Sequence, residues 1–148
     1  MKAISLWQPW ATLVAIGAKQ YETRHWSTSY RGPLVIHAAK RVTDEARALC
    51  RDQPFYGCLN DAGYLTVKRL PLGAYVCIVD LVDIVTTDSI VHSLSKQEKA
   101  FGNYAPDRFA WKLENVRVFF EPMPARGYQG LWYPLAMDPA LADVIKAA

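Results

Sequence analysis

Three ionisable side chains stand close together near the start of the chain, Lys19, Glu22 and Arg24, in the run Gly17-Ala18-Lys19-Gln20-Tyr21-Glu22-Thr23-Arg24. A lysine and an arginine can stabilise charge developing on a phosphoryl group, and a carboxylate can orient them or move a proton. Along a regular strand side chains alternate, so Glu22 and Arg24 share one face while Lys19, Tyr21 and Thr23 share the other. Lys19 therefore meets Glu22 only if the backbone bends between them. Aromatic residues accompany the charges. Trp7 and Trp10 flank Gln8-Pro9; Tyr21, Trp26 and Tyr30 lie among Lys19, Arg24 and Arg31; Tyr104 is near Arg108 and Trp111. Cations meet phosphates while flat rings stack on unpaired bases, so this interleaving suits a strand of nucleic acid. The candidate catalytic residues are Lys19 and Glu22. The candidate nucleic-acid-binding residues are Trp7, Trp10, Lys19, Arg24, Trp26, Arg31, Lys40, Tyr104, Arg108 and Trp111.

Other chemistry-bearing residues read as structural. His37 sits inside the apolar run Pro33-Leu34-Val35-Ile36-His37-Ala38 and is expected to be a hydrogen-bonded core histidine, with Cys77 an inert thiol in similar surroundings. Asp80 and Asp83, three apart on an expected strand, fall on opposite faces and form no carboxylate pair. Cys50, Cys58 and Cys77 are an odd number without a CxxC pair, which predicts reduced thiols, and His25, His37 and His92 are scattered. No metal and no cofactor is expected.

The elements that must position these residues are short. Ala3–Trp7 reads as a strand, after which Pro9 suits the first turn of a helix running to Ile16 and closed by Gly17. Tyr21–His25 alternates as an edge strand, Pro33–Ala38 is a buried strand, and Thr43 caps a helix running to about Arg51. Residues 53–64 read as loop. Gly73–Val85, rich in Val and Ile, is the strongest strand signal and too long to stay flat, so a bend or bulge is expected. Ser95–Phe101 reads as a short helix ended by Gly102, and Phe109–Phe120 and Gly130–Leu135 as strands. Residues 117–126 read as an edge strand closed off by Pro122 and Pro124, with Arg126 free to reach a cleft. Asp138-Pro139 opens a last helix to about Lys146. Five or six strands with short flanking helices predict an α+β chain built on a small closed or partly closed barrel.

Composition supports one core. The 148 residues are 51% hydrophobic and 21% charged, a globular balance that suggests a single domain. Without a signal-peptide pattern or a long apolar run, a soluble, cytoplasmic, monomeric protein with no membrane association is expected. The net charge of +3 is modest but uneven. Residues 1–41 hold Lys2, Lys19, Arg24, Arg31, Lys40 and Arg41 against Glu22 alone, a net of +5 that leaves −2 for the rest. One end of the molecule should be electropositive.

The run from Gly17 to Arg24 fits the G-x-K-x-x-E-x-R signature of the ASCH domain, the homology region of activating signal cointegrator proteins. Ser5-Leu6-Trp7-Gln8-Pro9-Trp10-Ala11, Tyr30-Arg31-Gly32-Pro33-Leu34, Phe101-Gly102-Asn103-Tyr104, Arg108-Phe109-Ala110-Trp111 and Gly130-Leu131-Trp132 reinforce the resemblance over nearly the whole chain. It implies a PUA-like β-barrel with a cleft beside it and binding of RNA or another single-stranded nucleic acid there. Two enzyme types are associated with similar proteins. One is a metal-independent ribonuclease, which Lys19 and Glu22 would serve. The other is an amidohydrolase that removes an acyl group from a modified cytidine, using the motif lysine, a threonine and a downstream glutamate. Lys19 matches that set; Glu22 stands in the threonine position, Thr23 comes one residue later, and no motif aligns Glu98. A protein-interaction domain without catalytic activity is the third reading.

Overall fold

The computed structural model describes residues 1–148. Its β-branched and aromatic runs form five strands: β1 (Lys2–Leu6), β2 (Tyr21–Arg24), β3 (Gly32–Ala38), β4 (Ala74–Thr86) and β5 (Phe109–Pro124). They make one sheet in the order β1-β3-β4-β5-β2, parallel between β1 and β3 and antiparallel elsewhere. The sheet curls without closing through backbone hydrogen bonds. Its two outermost strands approach one another, since Arg24 on β2 donates through Nη2 to the Ser5 carbonyl on β1 at 2.7 Å. The architecture is α+β and PUA-like.

Both faces of the central strands are covered, so alternate residues enter different cores. Ile4, Leu6, Leu34, Ile36, Ala38, Val76 and Trp111 pack on the side carrying helix α1 (Trp10–Ala15). Ala3, Val35, Tyr75, Phe119 and Trp132 pack on the other side, where a C-terminal helix (Leu141–Ala147) inserts Leu141. The expected irregularity of β4 is present: its register against β5 shifts between Tyr75 and Cys77, between Ile78 and Asp80, and between Leu81 and Asp83. β5 is paired with β4 along its length and with β2 only over Phe109–Lys112, so Pro122 and Pro124 fall where one edge is free.

Two expectations are corrected. Residues 53–64 are not all loop, because Phe55–Asp61 forms a helix. Gly57, Asn60 and Asp61 make that helix locally weak, and burial of Phe55 and Leu59 against Leu13 and Phe101 decides it. Residues 130–135 are not a strand. Trp132 makes one isolated bridge to Ala3, and a short helix starts at Pro134. Trp132 is drawn in as a single anchor, 5% exposed. No helix is long and apolar enough to cross a membrane.

Candidate nucleic-acid interface

Gly17, at φ +79°, ends α1 and turns the chain so that the Lys19 N–H returns to the Leu13 carbonyl. β2 begins only at Tyr21, and the bend before it lets Lys19 and Glu22 approach. Lys19 Nζ lies 3.8 Å from Glu22 Oε1 and donates to the Phe101 carbonyl at 2.7 Å. The other carboxylate oxygen, Oε2, accepts from Arg24 Nε at 3.1 Å and Nη2 at 2.9 Å. Glu22 thus bridges a fully buried lysine and a half-buried arginine. Burial pushes the Lys19 ammonium below its ordinary pKa, opposed first by Glu22 and then by Glu98.

Glu98 enters from the short helix Lys96–Ala100. Ser95-Lys96-Gln97-Glu98 has the pattern of a capping box, and Ser95 Oγ does accept the Glu98 N–H. The Glu98 carboxylate does not return to Ser95; its Oε1 accepts the Gln20 N–H instead. Its Oε2 is buried without a partner, and burial pushes its pKa up against the Gln20 hydrogen bond and Lys19. The sequence names Glu98 only as a downstream glutamate that no motif aligns, because the pattern around it suggests a helix cap.

Above the ion cluster lies a cleft of about 400 Å³ walled by Trp7, Trp10, Thr23, Arg24, Asn103 and Arg108. Arg108 donates through Nε to the Asn103 carbonyl at 3.1 Å and through Nη2 to the Thr23 carbonyl at 3.4 Å. These bonds, and those of Arg24, leave Nη1 of each guanidinium unused. Both cations are aimed by backbone or carboxylate partners yet retain donors for a ligand. Trp7 is 52% exposed at the rim, whereas Trp10 packs edge-on against Phe55.

The remaining candidates are distributed as follows. Lys19 lies beneath the cleft rather than in its wall, and Tyr104 packs behind Gly102, where its hydroxyl is buried without a partner. Burial, with Glu98, pushes the Tyr104 phenol well above its ordinary value. Trp26 lines an adjoining cavity of about 420 Å³ shared with Trp7 and Arg24. Trp111 is fully buried, edge-on to Trp26, and donates Nε1 to the Trp26 carbonyl. Arg31 folds its guanidinium back on the Thr28 and Tyr30 carbonyls. Lys40 and Arg126 line a third cavity, beside His37. Thr23 and Asn103, which the charge pattern did not pick out, hold the cleft together: Thr23 Oγ1 accepts the Asn103 N–H at 3.0 Å. No group of three or more His, Cys, Asp or Glu side chains is placed to hold a metal.

A curled five-stranded α+β sheet with short flanking helices is a PUA-like fold, and here a cleft lies at the junction of its edge strands. Comparison with known proteins gives the family. The ASCH domain model matches residues 4–123, and the chain belongs to the ASCH domain family. It is 26% identical over 129 residues to activating signal cointegrator 1 of Mus musculus and of Homo sapiens, covering 87% of this chain and 21% of each relative. The chain thus spans about a fifth of the length of these curated relatives. The crystal structure of ASCH from Zymomonas mobilis superposes with a TM-score of 0.59 at 15% identity, over 97% of this chain and 94% of that one. A mutant form of the same protein gives 0.58, over 97% and 96%. This likeness shows the fold.

Proposed function

We propose that this chain, acting as one domain, binds single-stranded or structured RNA in the cleft between β2 and the segment joining Ala100 to Phe109. The observation that carries the reading is the pair Arg24 and Arg108, far apart in sequence, each fixed by internal hydrogen bonds, each left with a free Nη1, and both lining the cleft that the exposed Trp7 also lines. Two preorganised guanidiniums suit backbone phosphates, and Trp7 offers a stacking platform for a base. The electropositive first segment and the family resemblance support the same partner. In this arrangement Glu22, itself in the cleft wall, holds Arg24 in place, and the buried Lys19 backs Glu22. The test is titration of a short fluorescent single-stranded RNA at several salt concentrations. Binding that weakens steeply with salt, and is lost in the variant carrying both Arg24→Ala and Arg108→Ala, is expected; salt-independent binding retained in that variant refutes the reading.

A second reading, slow metal-independent hydrolysis of the bound nucleic acid, is favoured by Lys19 alone. Its ammonium is buried and its pKa lowered, with Glu22 and Glu98 both interacting with it, and Glu22, which lines the cleft, would carry the proton to the nucleic acid. Glu22→Gln should abolish cleavage measured in the presence of a chelator. The amidohydrolase reading has less to stand on, because Thr23 Oγ1 is engaged by the Asn103 N–H and Glu22 occupies the matching position.

A further inference from the structure

A second polar pair lies outside the ion cluster and has the wiring of a nucleophile and its base. Ser5 on β1 and His37 on β3 are direct partners in the parallel register, so their side chains leave the sheet on the same face. Ser5 Oγ is 2.8 Å from His37 Nδ1, and His37 Nε2 is 2.8 Å from the Ala125 carbonyl oxygen. A carbonyl can only accept, so Nε2 carries the proton and Nδ1 presents its lone pair to the Ser5 hydroxyl. The imidazole is 2% exposed and stands edge-on to Tyr75 and Trp132, which lock its orientation. Burial holds its pKa below the ordinary value against the Ala125 carbonyl and Asp138, so the ring is neutral near pH 7 and its Nδ1 can accept a proton.

The pair lies beside a cavity. Ser5 is half-buried and contributes to the wall of a cavity of about 800 Å³ together with His37, Lys40, Arg126 and Gln129. Gly127 brings the covering segment close to the pair: a Cβ added there would stand 2.6 Å from both Ser5 Oγ and His37 Cε1. Only a glycine allows that approach. Nucleophile, base, orienting acceptor and an adjoining cavity with two cations are therefore assembled in one place.

We propose that Ser5 and His37 form an acyl-transfer centre that hydrolyses carboxylic esters bearing a negative charge. Ser5 Oγ attacks the ester carbonyl carbon while its proton passes to His37 Nδ1. The carbon–oxygen bond to the leaving alcohol breaks, and that oxygen takes the proton from His37. Water, deprotonated by His37, then attacks the acyl-Ser5 ester, releasing the carboxylic acid and restoring the Ser5 hydroxyl. Lys40 and Arg126 select the anionic substituent. The charged and titratable groups around His37 are Lys40, Arg126, Tyr75, Tyr128 and Asp138, the last bonded to the Tyr75 hydroxyl at 2.9 Å.

The test uses the folded chain and diisopropyl fluorophosphate, read by intact and peptide mass spectrometry. One adduct is expected, on Ser5, absent from Ser5→Ala and formed about a hundredfold more slowly in His37→Gln. Because His37→Gln can fail to fold, the pH profile of the unaltered protein is measured as well. The rate should follow a single ionisation below the ordinary imidazole value and then level off. With 4-nitrophenyl hemisuccinate against 4-nitrophenyl acetate, turnover should favour the anionic ester, and the preference should vanish when Lys40 and Arg126 are both changed to Ala. A merely structural hydrogen bond gives no Ser5 adduct, or a labelling rate that climbs with hydroxide without levelling off; either result overturns the proposal.

Discussion

The cleft beneath Arg24 and Arg108 and the cavity beside His37 meet at Ser5, whose carbonyl serves the first and whose hydroxyl serves the second. The two are built on different electrostatics. The cleft rests on full charges: a buried ammonium is matched by Glu22, which is shared with Arg24, and by the Phe101 carbonyl. The cavity rests on neutral groups linked in a line from Ser5 through His37 to Ala125. A charged network holds its members rigidly, because removing one leaves another buried and uncompensated. A neutral relay costs less to bury and leaves a proton free to move. The first arrangement is suited to fixing guanidiniums for a ligand, the second to reactivity.

This contrast can be broken most directly at Lys19. Lys19→Ala strips the partner from Glu22 and from the Phe101 carbonyl and is expected to cost about 3 kcal/mol in urea unfolding. Lys19→Met, which keeps the volume but strips Glu22 and the Phe101 carbonyl of the same partner, should cost nearly as much. A clearly smaller loss in Lys19→Met than in Lys19→Ala would mean that packing, not charge, sustains the cleft. On the cavity side, Gly127→Ala forces a methyl group into the Ser5–His37 pair and should cost about 2 kcal/mol, with the His37 ring resonances shifting by NMR.

Acid should separate the two regions by sign. The native His37 pKa lies below its ordinary 6.5, so the unfolded chain binds more protons in the interval between the two values. That contribution is fully present above 6.5 and is lost as pH falls through the native value. Glu98 has the opposite sign. Its pKa is raised above the ordinary 4.5, so the native chain holds the proton longer and stability falls as pH rises through that interval. Urea midpoints between pH 7 and pH 4 should therefore drop less steeply in His37→Gln and more steeply in Glu98→Gln than in the unaltered chain. The same slope in all three would show that neither group titrates differently on folding.

Smaller effects test the cleft as a phosphate site. Arg24→Ala and Arg108→Ala should each lower the slope of log affinity against log salt by about 0.7 for a single-stranded RNA, one phosphate contact apiece. The smallest change is expected at Asp80, paired with Arg117 at 2.9 Å where both side chains are about one-third exposed. Asp80→Asn should cost about 0.5 kcal/mol, which gives a surface ion pair against which the Lys19 network can be judged.

Much of the sheet was legible because its strands carry dense Val, Ile and aromatic signals with Gly or Pro at their ends. The helix over Phe55–Asp61 was not, since only two of its side chains are buried and its glycine and polar residues resemble a loop. The segment around Trp132 is the converse case: an aromatic, apolar run has the pattern of a strand, yet only Trp132 is anchored, by one bridge to Ala3. At the site, Lys19, Glu22 and Arg24 stood out because they lie within one short run. Glu98 and Asn103 lie far from that run, Thr23 lies within it but carries no charge, and Trp111, which resembles a stacking residue in sequence, is spent in the core.

By itself, the sequence determined the α+β class, the grouping of Lys19, Glu22 and Arg24 in one run, and the family signature, because each depends on residues that are neighbours along the chain. Only the tertiary structure decided that Lys19 is buried under the cleft and not aimed at solvent, that Glu98 leaves its helix cap for Gln20, and that Ser5 meets His37. Those outcomes depend on strand register and on which surfaces the curl of the sheet removes from water, and both are set by contacts between residues from 32 to 82 positions apart.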